Sequence, residues 1–178
     1  MKTVVQRVTR AEVRVGGDLV GRIAHGLLLF VGVEKGDADA DADATARKVA
    51  ALRIFPGRTP AAPAQSAGVR LPEESVVALR ASGAERRMDL TVADVGGACL
   101  VVSQFTLCAA LGKGNRPSFE PAAEPARAEP LYLRVADGLR AAGLAVETGR
   151  FGADMAVELV NDGPVTFWIE TRDGALVK

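Results

Sequence analysis

The sequence predicts a strand-rich α/β fold in a single domain spanning residues 1–178. Residues 3–15 alternate in the manner of a half-buried strand, and residues 26–33, GLLLFVGV, form a continuous apolar run typical of a strand buried on both faces. A helix is expected over residues 39–54. A chain of 178 residues is long enough for one domain with a substantial core, and no internal repeat or linker divides it.

The remaining elements are bounded by turn residues, proline and glycine. Further strands are expected at 19–24, after the turn signal at 16–18, and then at 88–92, 98–107, 144–148, 155–160 and 164–171. A second helix is expected over 130–142, with Pro130 in its first turn, where proline is tolerated. Between the last two strands, Asn161, Asp162 and Gly163 have the chemistry of a hairpin turn, and Pro164 then occupies the first strand position.

Two segments are expected to lie outside the core. Residues 56–87 are rich in Pro, Ala, Gly and Ser, which indicates a long surface insertion, with a helical turn around the sequence EESVVALRA. Residues 171–178, TRDGALVK, are expected to form a frayed C-terminal tail.

Composition narrows the class of partner. The net charge is +0 and hydrophobic residues make up 48% of the chain, which is typical of a soluble globular protein that does not bind nucleic acid or membranes by bulk charge. We therefore expect neither a membrane nor DNA as a partner, and any RNA contact would need a local basic patch. No signal peptide or membrane-spanning segment is apparent, and Cys99 and Cys108 are not spaced like zinc ligands. These features favour a cytoplasmic location.

The shortage of histidine limits the possible chemistry. His25 is the only histidine, so a Ser-His-Asp triad would have to use it and a zinc site would lack ligands. The acidic run at 37–43 resembles the start of a calcium loop, but the sixth and twelfth positions counted from Asp37 are Ala42 and Lys48 instead of Gly and Glu. We expect no metal and no other cofactor, and assign the acidic residues to a helix N-terminus.

Seven segments, taken in order, resemble the D-aminoacyl-tRNA deacylase family over nearly the whole chain. They are QRVTRA at 6–11, GLLLFVGVEK at 26–35, RIF at 53–55, LVVSQFTL at 100–107, RPSF at 116–119, TGRFGADM at 148–155 and NDGPVTFW at 161–168. The resemblance implies an α/β domain with two β-layers and helices packed outside, a layered β/β/α sandwich that forms a homodimer. It also implies an enzyme that hydrolyses the ester between a D-amino acid and the 3′ adenosine of tRNA.

The resemblance assigns the basis of chiral selectivity to Gly163 and Pro164. In this family a Gly-cisPro peptide reaches across the dimer into the partner's active site, and its carbonyls exclude the side chain of an L-aminoacyl group. Glycyl-tRNA, which has no side chain to exclude, would also be accepted. Arg7 matches the family arginine that orients this motif.

The resemblance also assigns the catalytic segment. Backbone amides around Phe105 and Thr106 would bind the developing oxyanion, while Ser103 and Gln104 would orient a water molecule assisted by the ribose 2′-OH. Thr106 as a nucleophile stays an alternative, although a threonine hydroxyl needs an adjacent base.

Four further residues are candidates for contacts with tRNA. By the resemblance, Phe151 and Met155 would hold the 3′ adenine, although core packing is the local alternative. Lys113 and Arg116 are candidate phosphate contacts, and solvated loop charges are the alternative. Two other functions remain open: a general esterase that uses Thr106, and an RNA-binding module without catalytic activity.

Overall fold

The structure, a computed structural model, describes residues 1–57, 87–112 and 114–177. The strands are Lys2–Val15 (β1), Asp18–Ile23 (β2), Gly26–Gly32 (β3), Phe55–Pro56 (β4), Met88–Leu90 (β5), Ala98–Ser103 (β6), Ala145–Thr148 (β7), Ala156–Arg172 (β8) and Ala175–Leu176 (β9). The helices are Asp39–Ala51 (α1) and Pro125–Ala141 (α2), and Phe105–Cys108 forms a 3₁₀ turn. Most of the expected insertion, residues 58–86 with its helical turn, lies outside the described residues, as do Lys113 and Lys178.

The main sheet is mixed and curled. Its order is β7-β6-β3-β1-β8-β9, with β2 also pairing with β1. β3, β6 and β7 run parallel, whereas β1 is antiparallel to β2, β3 and β8. The carboxyl ends of the three parallel strands therefore lie together at one edge, which is where α/β sheets usually bind ligands.

Apolar residues cover both faces of this sheet. One cluster lies between the sheet and the two helices, and it includes the fully buried Phe55 and Tyr132. The second cluster lies on the opposite face and includes Val13, Leu28 and Leu100. In place of two separate β-layers, the curl of one sheet brings β2 over this second cluster. An added Cβ at Gly21 of β2 would stand 2.7 Å from the carbonyl oxygen of Thr148, so only glycine fits this approach.

The buried strand at the centre of the sheet confirms the sequence prediction. Six of the seven residues of β3 are buried, because helices cover one face and the curled sheet covers the other. α1 begins at Asp39 as expected, with Asp39 and Asp41 in its first turn. It ends at Ala51, earlier than the predicted residue 54, because Phe55 continues in an extended conformation as β4.

The second helix begins five residues earlier than the sequence predicts. Pro125 occupies its first position, so Pro130 lies inside the helix and not in its first turn. Pro130 cannot donate the backbone hydrogen bond to Ala126, a defect that costs about 3 kcal/mol in a helix interior. The apolar face of α2 offsets this cost, since Leu131, Tyr132, Val135, Ala136 and Leu139 are all buried.

Two predictions in the C-terminal half of the core were wrong. The strand expected at 98–107 ends at Ser103, where the chain enters the 3₁₀ turn. The hairpin turn expected at 161–163 is absent, because residues 156–172 form one continuous strand, β8. Both halves of β8 pair with β1, so the two segments are not hairpin partners of each other.

The C-terminal segment, expected to be frayed, is ordered through residue 177. Thr171 is fully buried, and its hydroxyl lies 2.9 Å from that of Thr45. β9 pairs with the end of β8, and the backbone N–H of Gly174 donates to Asp41 Oδ1 at 2.9 Å. Helix α1 thus holds the C-terminal hairpin. No helix in the described part of the chain is long and apolar enough to cross a membrane.

Candidate active site

A cavity of about 330 Å³ opens at the carboxyl ends of β3 and β6. Its lining is mostly apolar and comes from the strand ends, the start of α2 and the loop after β7: Val31, Val33, Ser103, Gln104, Phe105, Ala122, Ala123, Pro125, Ala128, Tyr132, Phe151 and Gly152. An apolar cleft with a few polar groups at its mouth is the usual form of a small-molecule site. The structure thus brings together four of the predicted site residues, Ser103, Gln104, Phe105 and Phe151.

The polar end of the cavity is made by the segment that ends β6. The backbone N–H of Gln104 donates to Val31 O at 2.8 Å, which continues the pairing with β3 for one residue beyond the strand. The next intraturn bond runs from Leu107 N to Gln104 O at 3.2 Å. The backbone N–H groups of Phe105 and Thr106 therefore come before Leu107, the first residue whose N–H donates within the turn, and are available to an external anion.

Thr106 is tied to Gln104. The Gln104 side-chain amide donates to Thr106 Oγ1 at 2.5 Å, and Thr106 is exposed outside the lining of the cavity. No imidazole is nearby, because His25 precedes β3 at the opposite end of the strand from Val31. The structure therefore gives the Thr106 hydroxyl a hydrogen-bond donor and no histidine base.

The side wall of the cavity includes two aromatic rings. Tyr132 and Phe151 have ring centroids 6.0 Å apart, and the Tyr132 hydroxyl donates to Val101 O at 2.9 Å. Burial raises the pKa of Tyr132 to about 12, so the phenol stays protonated at neutral pH and cannot act as a base there. Met155 does not line the cavity. It packs with the second apolar cluster, where its Sδ would lie 2.7 Å from a Cβ added at Gly149.

Neither cysteine offers a nucleophile. Burial raises the pKa of Cys99 to about 12 and that of Cys108 to about 11, so both are neutral thiols at physiological pH. Cys108 Sγ lies 3.4 Å from Val33 O, behind the cavity wall. Within the described ranges, no group of three or more His, Cys, Asp or Glu is placed to hold a metal ion.

An aromatic pair lies at the rim of the cavity. The rings of Phe105 and Phe119 meet edge to face at 5.0 Å, and both side chains are exposed. Arg116, a predicted phosphate contact, is exposed on the loop between them. The sequence interpretation gave no role to Phe119 or Tyr132. Phe119 could have been found from the sequence, because it belongs to the RPSF segment that carries the family resemblance. Tyr132 could not, because its only feature in the sequence is a place on the apolar face of a helix.

The second predicted segment forms a bulge in β8. Gln6 of β1 faces Thr166 and Val8 faces Asn161, so Arg7 alone stands opposite four residues, 162–165. The Gly163–Pro164 peptide bond in this bulge is cis. Gly163 has φ of 123°, and an added Cβ would stand 3.0 Å from Arg7 Nη2, so a side chain at this position would be strained and would crowd the guanidinium.

Arg7 is buried beneath the bulge. Its Nη1 donates to Ile54 O at 2.5 Å, and its guanidinium carbon lies 5.9 Å from the centre of the Phe55 ring. Arg7 Nε lies 2.9 Å from Asp162 Oδ2, an ionic contact in which the N–H does not point at the oxygen. Two residues of the RIF segment therefore position Arg7: the Ile54 carbonyl and the Phe55 ring hold the arginine under the bulge.

Within one chain, the bulge and the cavity are well separated. Arg7 pairs with Leu27 of β3, whereas Ser103 pairs with Val31, and β8 is three strands from β6. Four residues along the strands and three strands across correspond to roughly 13 Å and roughly 14 Å. The structure therefore does not bring Gly163 and Pro164 together with the catalytic candidates of the same chain.

Comparison with known proteins gives consistent matches along the chain. The D-Tyr-tRNA(Tyr) deacylase family matches residues 4–170. A D-aminoacyl-tRNA deacylase of Paracoccus denitrificans is 47% identical over 175 residues, covering 98% of this chain and 100% of the relative. One of Anaeromyxobacter dehalogenans is 48% identical over 172 residues, covering 97% of this chain and 98% of the relative.

Solved structures share the architecture. One described as a c-Myc DNA unwinding element binding protein has a TM-score of 0.76 and 32% identity, covering 97% of this chain and 99% of the other. A probable eukaryotic D-amino acid tRNA deacylase has a TM-score of 0.67 and 15% identity, covering 94% of this chain and 97% of the other. At that identity the second likeness concerns the fold alone.

Proposed function

The chain belongs to the D-Tyr-tRNA(Tyr) deacylase family of hydrolases, and we propose that it hydrolyses the ester bond of D-aminoacyl-tRNA, releasing a free D-amino acid and tRNA. The observation that carries this proposal is the 3₁₀ turn at the mouth of the cavity. Within the turn the backbone N–H groups of Phe105 and Thr106 have no acceptor, and we propose that they bind the carbonyl oxygen of the ester. The relatives' names supply the substrate class.

The reaction is hydrolysis by water. A water oxygen attacks the ester carbonyl carbon, the negative charge moves to the carbonyl oxygen, and the bond to the ribose 3′ oxygen then breaks. Ser103 and Gln104 position the water, and the neighbouring 2′-OH of the substrate takes a proton from the attacking water as it passes its own proton to the leaving 3′ oxygen. Each backbone donor to the oxyanion supplies about 2.7–4 kcal/mol of transition-state stabilisation. Such a reaction requires no group with a pKa near neutrality on the protein.

The cavity is proposed to hold the 3′ adenosine. Its volume of about 330 Å³ and its apolar wall suit a base, and Phe151 supplies an aromatic surface there. Met155 supports this wall indirectly, since it packs beneath Gly149 and fixes the loop that carries Phe151. Arg116 at the rim is proposed to contact a phosphate, and Lys113 is proposed for the same role.

We propose further that the active unit is a homodimer in which Gly163 and Pro164 enter the partner's cavity. The separation of bulge and cavity in one chain supports this arrangement, since the bulge cannot serve its own site. Among the described residues, β8 is paired along its outer edge only with β9, and it exposes the apolar side chains of Val160, Phe167 and Trp168. Apolar side chains exposed along a strand edge are typical of an interface.

Selectivity then arises by exclusion. The backbone carbonyls of Gly163 and Pro164 leave no room for an L side chain, whereas a D side chain points outwards. The site does not read the side chain itself, so many D-aminoacyl esters and glycyl-tRNA should be substrates. Hydrolysis of mischarged tRNA of this kind is chiral proofreading, and we propose that it occurs in the cytoplasm.

The rival functions make different predictions. A general esterase that uses Thr106 should cleave small activated esters and both enantiomers of the aminoacyl group. The contact between Thr106 and Gln104 argues against this mechanism, because the hydroxyl accepts a hydrogen bond there and has no histidine base. An RNA-binding module would bind tRNA without turnover. It would not explain the N–H groups of the 3₁₀ turn that have no acceptor within the turn.

The decisive experiment compares deacylation of D-Tyr-tRNA and L-Tyr-tRNA at equal, low enzyme concentration, with and without EDTA. We expect rapid loss of the D-ester alone, unchanged by the chelator. Equal hydrolysis of both esters would contradict the chiral gate and favour a general esterase. Hydrolysis of neither by folded protein would favour the binding module.

A further inference from the structure

The hydrogen-bonded ladder between β1 and β8 is interrupted at the bulge that contains Gly163 and Pro164. Four residues of β8, 162–165, stand opposite one residue of β1, so the bulge lacks regular ladder bonds that would fix its shape. Exclusion of an L side chain requires the two backbone carbonyls in this bulge to stay in place. Something other than the ladder must therefore hold it.

Asn161 is placed to do this. Its side-chain Nδ2 donates to Arg7 O at 3.2 Å and to Val165 O at 3.3 Å. Arg7 is the residue of β1 that faces the bulge, and Val165 is the last residue of the bulge. One amide group thus joins both edges of the interruption and closes its base.

The chemistry of the amide matches this position. A carboxamide NH₂ carries two donors, which is what two carbonyl acceptors require. A hydroxyl has one donor, and a carboxylate would set its oxygens against two carbonyl oxygens. Asn161 is half-buried, and Val165, whose carbonyl it holds, is only 6% exposed, so water competes poorly for these bonds.

We propose that Asn161 is a specificity-determining positioning residue, which holds the Gly163–Pro164 bulge in the shape that excludes L-aminoacyl groups. This inference rests on the proposed function, since it concerns selectivity between aminoacyl esters. Asn161 is not among the residues that line the cavity of its own chain. It acts through the backbone of the bulge. The ion pair between Arg7 and Asp162 is a second contact that holds the same bulge.

The test uses two variants and one matched control. Asn161→Ala removes both hydrogen bonds without adding charge, and Asn161→Asp keeps the shape but replaces the donors with acceptors. Gln6→Glu removes an amide donor at the flank of the same bulge, where Gln6 Nε2 donates to the exposed Thr166 Oγ1 at 3.2 Å. Each protein is assayed as the full chain with D-Tyr-tRNA, L-Tyr-tRNA and glycyl-tRNA.

We expect the ratio of the D rate to the L rate to fall about tenfold in Asn161→Ala and further in Asn161→Asp, mainly because L-ester hydrolysis rises. Hydrolysis of glycyl-tRNA should change little, and Gln6→Glu should keep the wild-type ratio. A general loss of folded protein would instead lower all three rates together and leave the ratio unchanged. Amide hydrogen exchange supplies a readout that is independent of activity. The backbone amides of residues 162, 163, 165 and 166 should exchange about tenfold faster in both Asn161 variants, while those of residues 2–5 of β1 keep the wild-type rate.

Failure of the Asn161 role and failure of the proposed function give different results. Wild-type selectivity in both folded Asn161 variants, with unchanged exchange at residues 162, 163, 165 and 166, would overturn the positioning role and leave the proposed function intact. Equal hydrolysis of D and L esters by the wild-type protein would overturn the chiral gate, and this inference with it.

Discussion

The guanidinium of Arg7 and the carboxylate of Asp162 form an ion pair across the interrupted ladder, with Arg7 Nε 2.9 Å from Asp162 Oδ2. The arginine is almost fully buried, whereas the aspartate is about one-third exposed. The pair joins the floor of the bulge to the residue that immediately precedes Gly163. It therefore bears on both the stability of the domain and the shape of the selectivity segment.

Loss of this pair should destabilise the domain. In Asp162→Asn the buried Arg7 keeps the Ile54 carbonyl and the Phe55 ring but loses its counter-charge, so we expect the free energy of unfolding to fall by about 1–3 kcal/mol. Urea denaturation measures this change. Glu158→Gln is the control, because it breaks the exposed Arg10–Glu158 pair of 2.8 Å, worth less than about 1 kcal/mol. Equal losses of stability in the two variants would contradict the claim that the Arg7–Asp162 pair stabilises the domain more than the exposed pair does.

The role of Thr106 can be decided by a single substitution. Thr106→Ala keeps both backbone N–H groups of the turn and removes only the acceptor of the Gln104 amide. We expect single-turnover hydrolysis of D-Tyr-tRNA to slow by about three- to tenfold, because the positioning of Gln104 is loosened. Loss of a nucleophile typically costs a factor of roughly 10⁴ or more. A drop of that size with tRNA binding intact would restore the nucleophile mechanism.

Phe151 and Met155 should affect different quantities. Phe151 lines the cavity, so Phe151→Ala should raise KM for D-Tyr-tRNA about ten- to a hundredfold through loss of base stacking. Met155 packs against the second cluster, so Met155→Ala should lower the free energy of unfolding by about 2 kcal/mol, with a smaller rise in KM. Steady-state kinetics and urea denaturation of both variants separate the two roles. A KM for Met155→Ala as high as that for Phe151→Ala would place both side chains on the adenine.

Buried Cys99 should make the domain sensitive to alkali. Burial raises its pKa from 9.0 to about 12 in the folded state, so between these values the unfolded chain loses a proton that the folded chain keeps. Ionisation of Cys99 therefore leaves the free energy of unfolding unchanged below about pH 9. Above that pH it lowers the free energy of unfolding by up to about 1.4 kcal/mol per pH unit. Urea midpoints measured from pH 8 to pH 11 should decline less steeply for Cys99→Ala than for the wild type. Parallel declines would mean that other groups account for the alkaline loss.

Several local elements could be predicted from the chain alone. The apolar run at 26–33 gave a buried central strand because its side chains suit no solvated face, and the acidic residues near Asp39 marked the start of a helix. The single histidine predicts a mechanism without imidazole. The resemblance assigned a catalytic role to the SQFT segment, which stays a prediction, and Ser103, Gln104 and Phe105 of that segment line the cavity.

Other features depended on contacts between distant parts of the chain. Met155 follows Phe151 by four residues and was grouped with it, yet only Phe151 lines the cavity, because the loop after β7 passes from one apolar cluster to the other. The C-terminal segment contains Gly and Asp and looked frayed, but Thr45 and Asp41 of α1 hold it in place.

The bulge at residues 162–165 shows most clearly what local sequence determines and what tertiary structure decides. Local sequence determined that Asn161, Asp162 and Gly163 break regular strand geometry, since these residues favour turns and tolerate positive φ. Only the tertiary structure decided that the break is a bulge and not a hairpin, because β1, some 150 residues away, pairs with both flanking segments. A hairpin requires the flanking segments to pair with each other, and the pairing with β1 removes that possibility. The physical reason is that a strand's partner is set by long-range burial, whereas turn chemistry sets only where the backbone can depart from it.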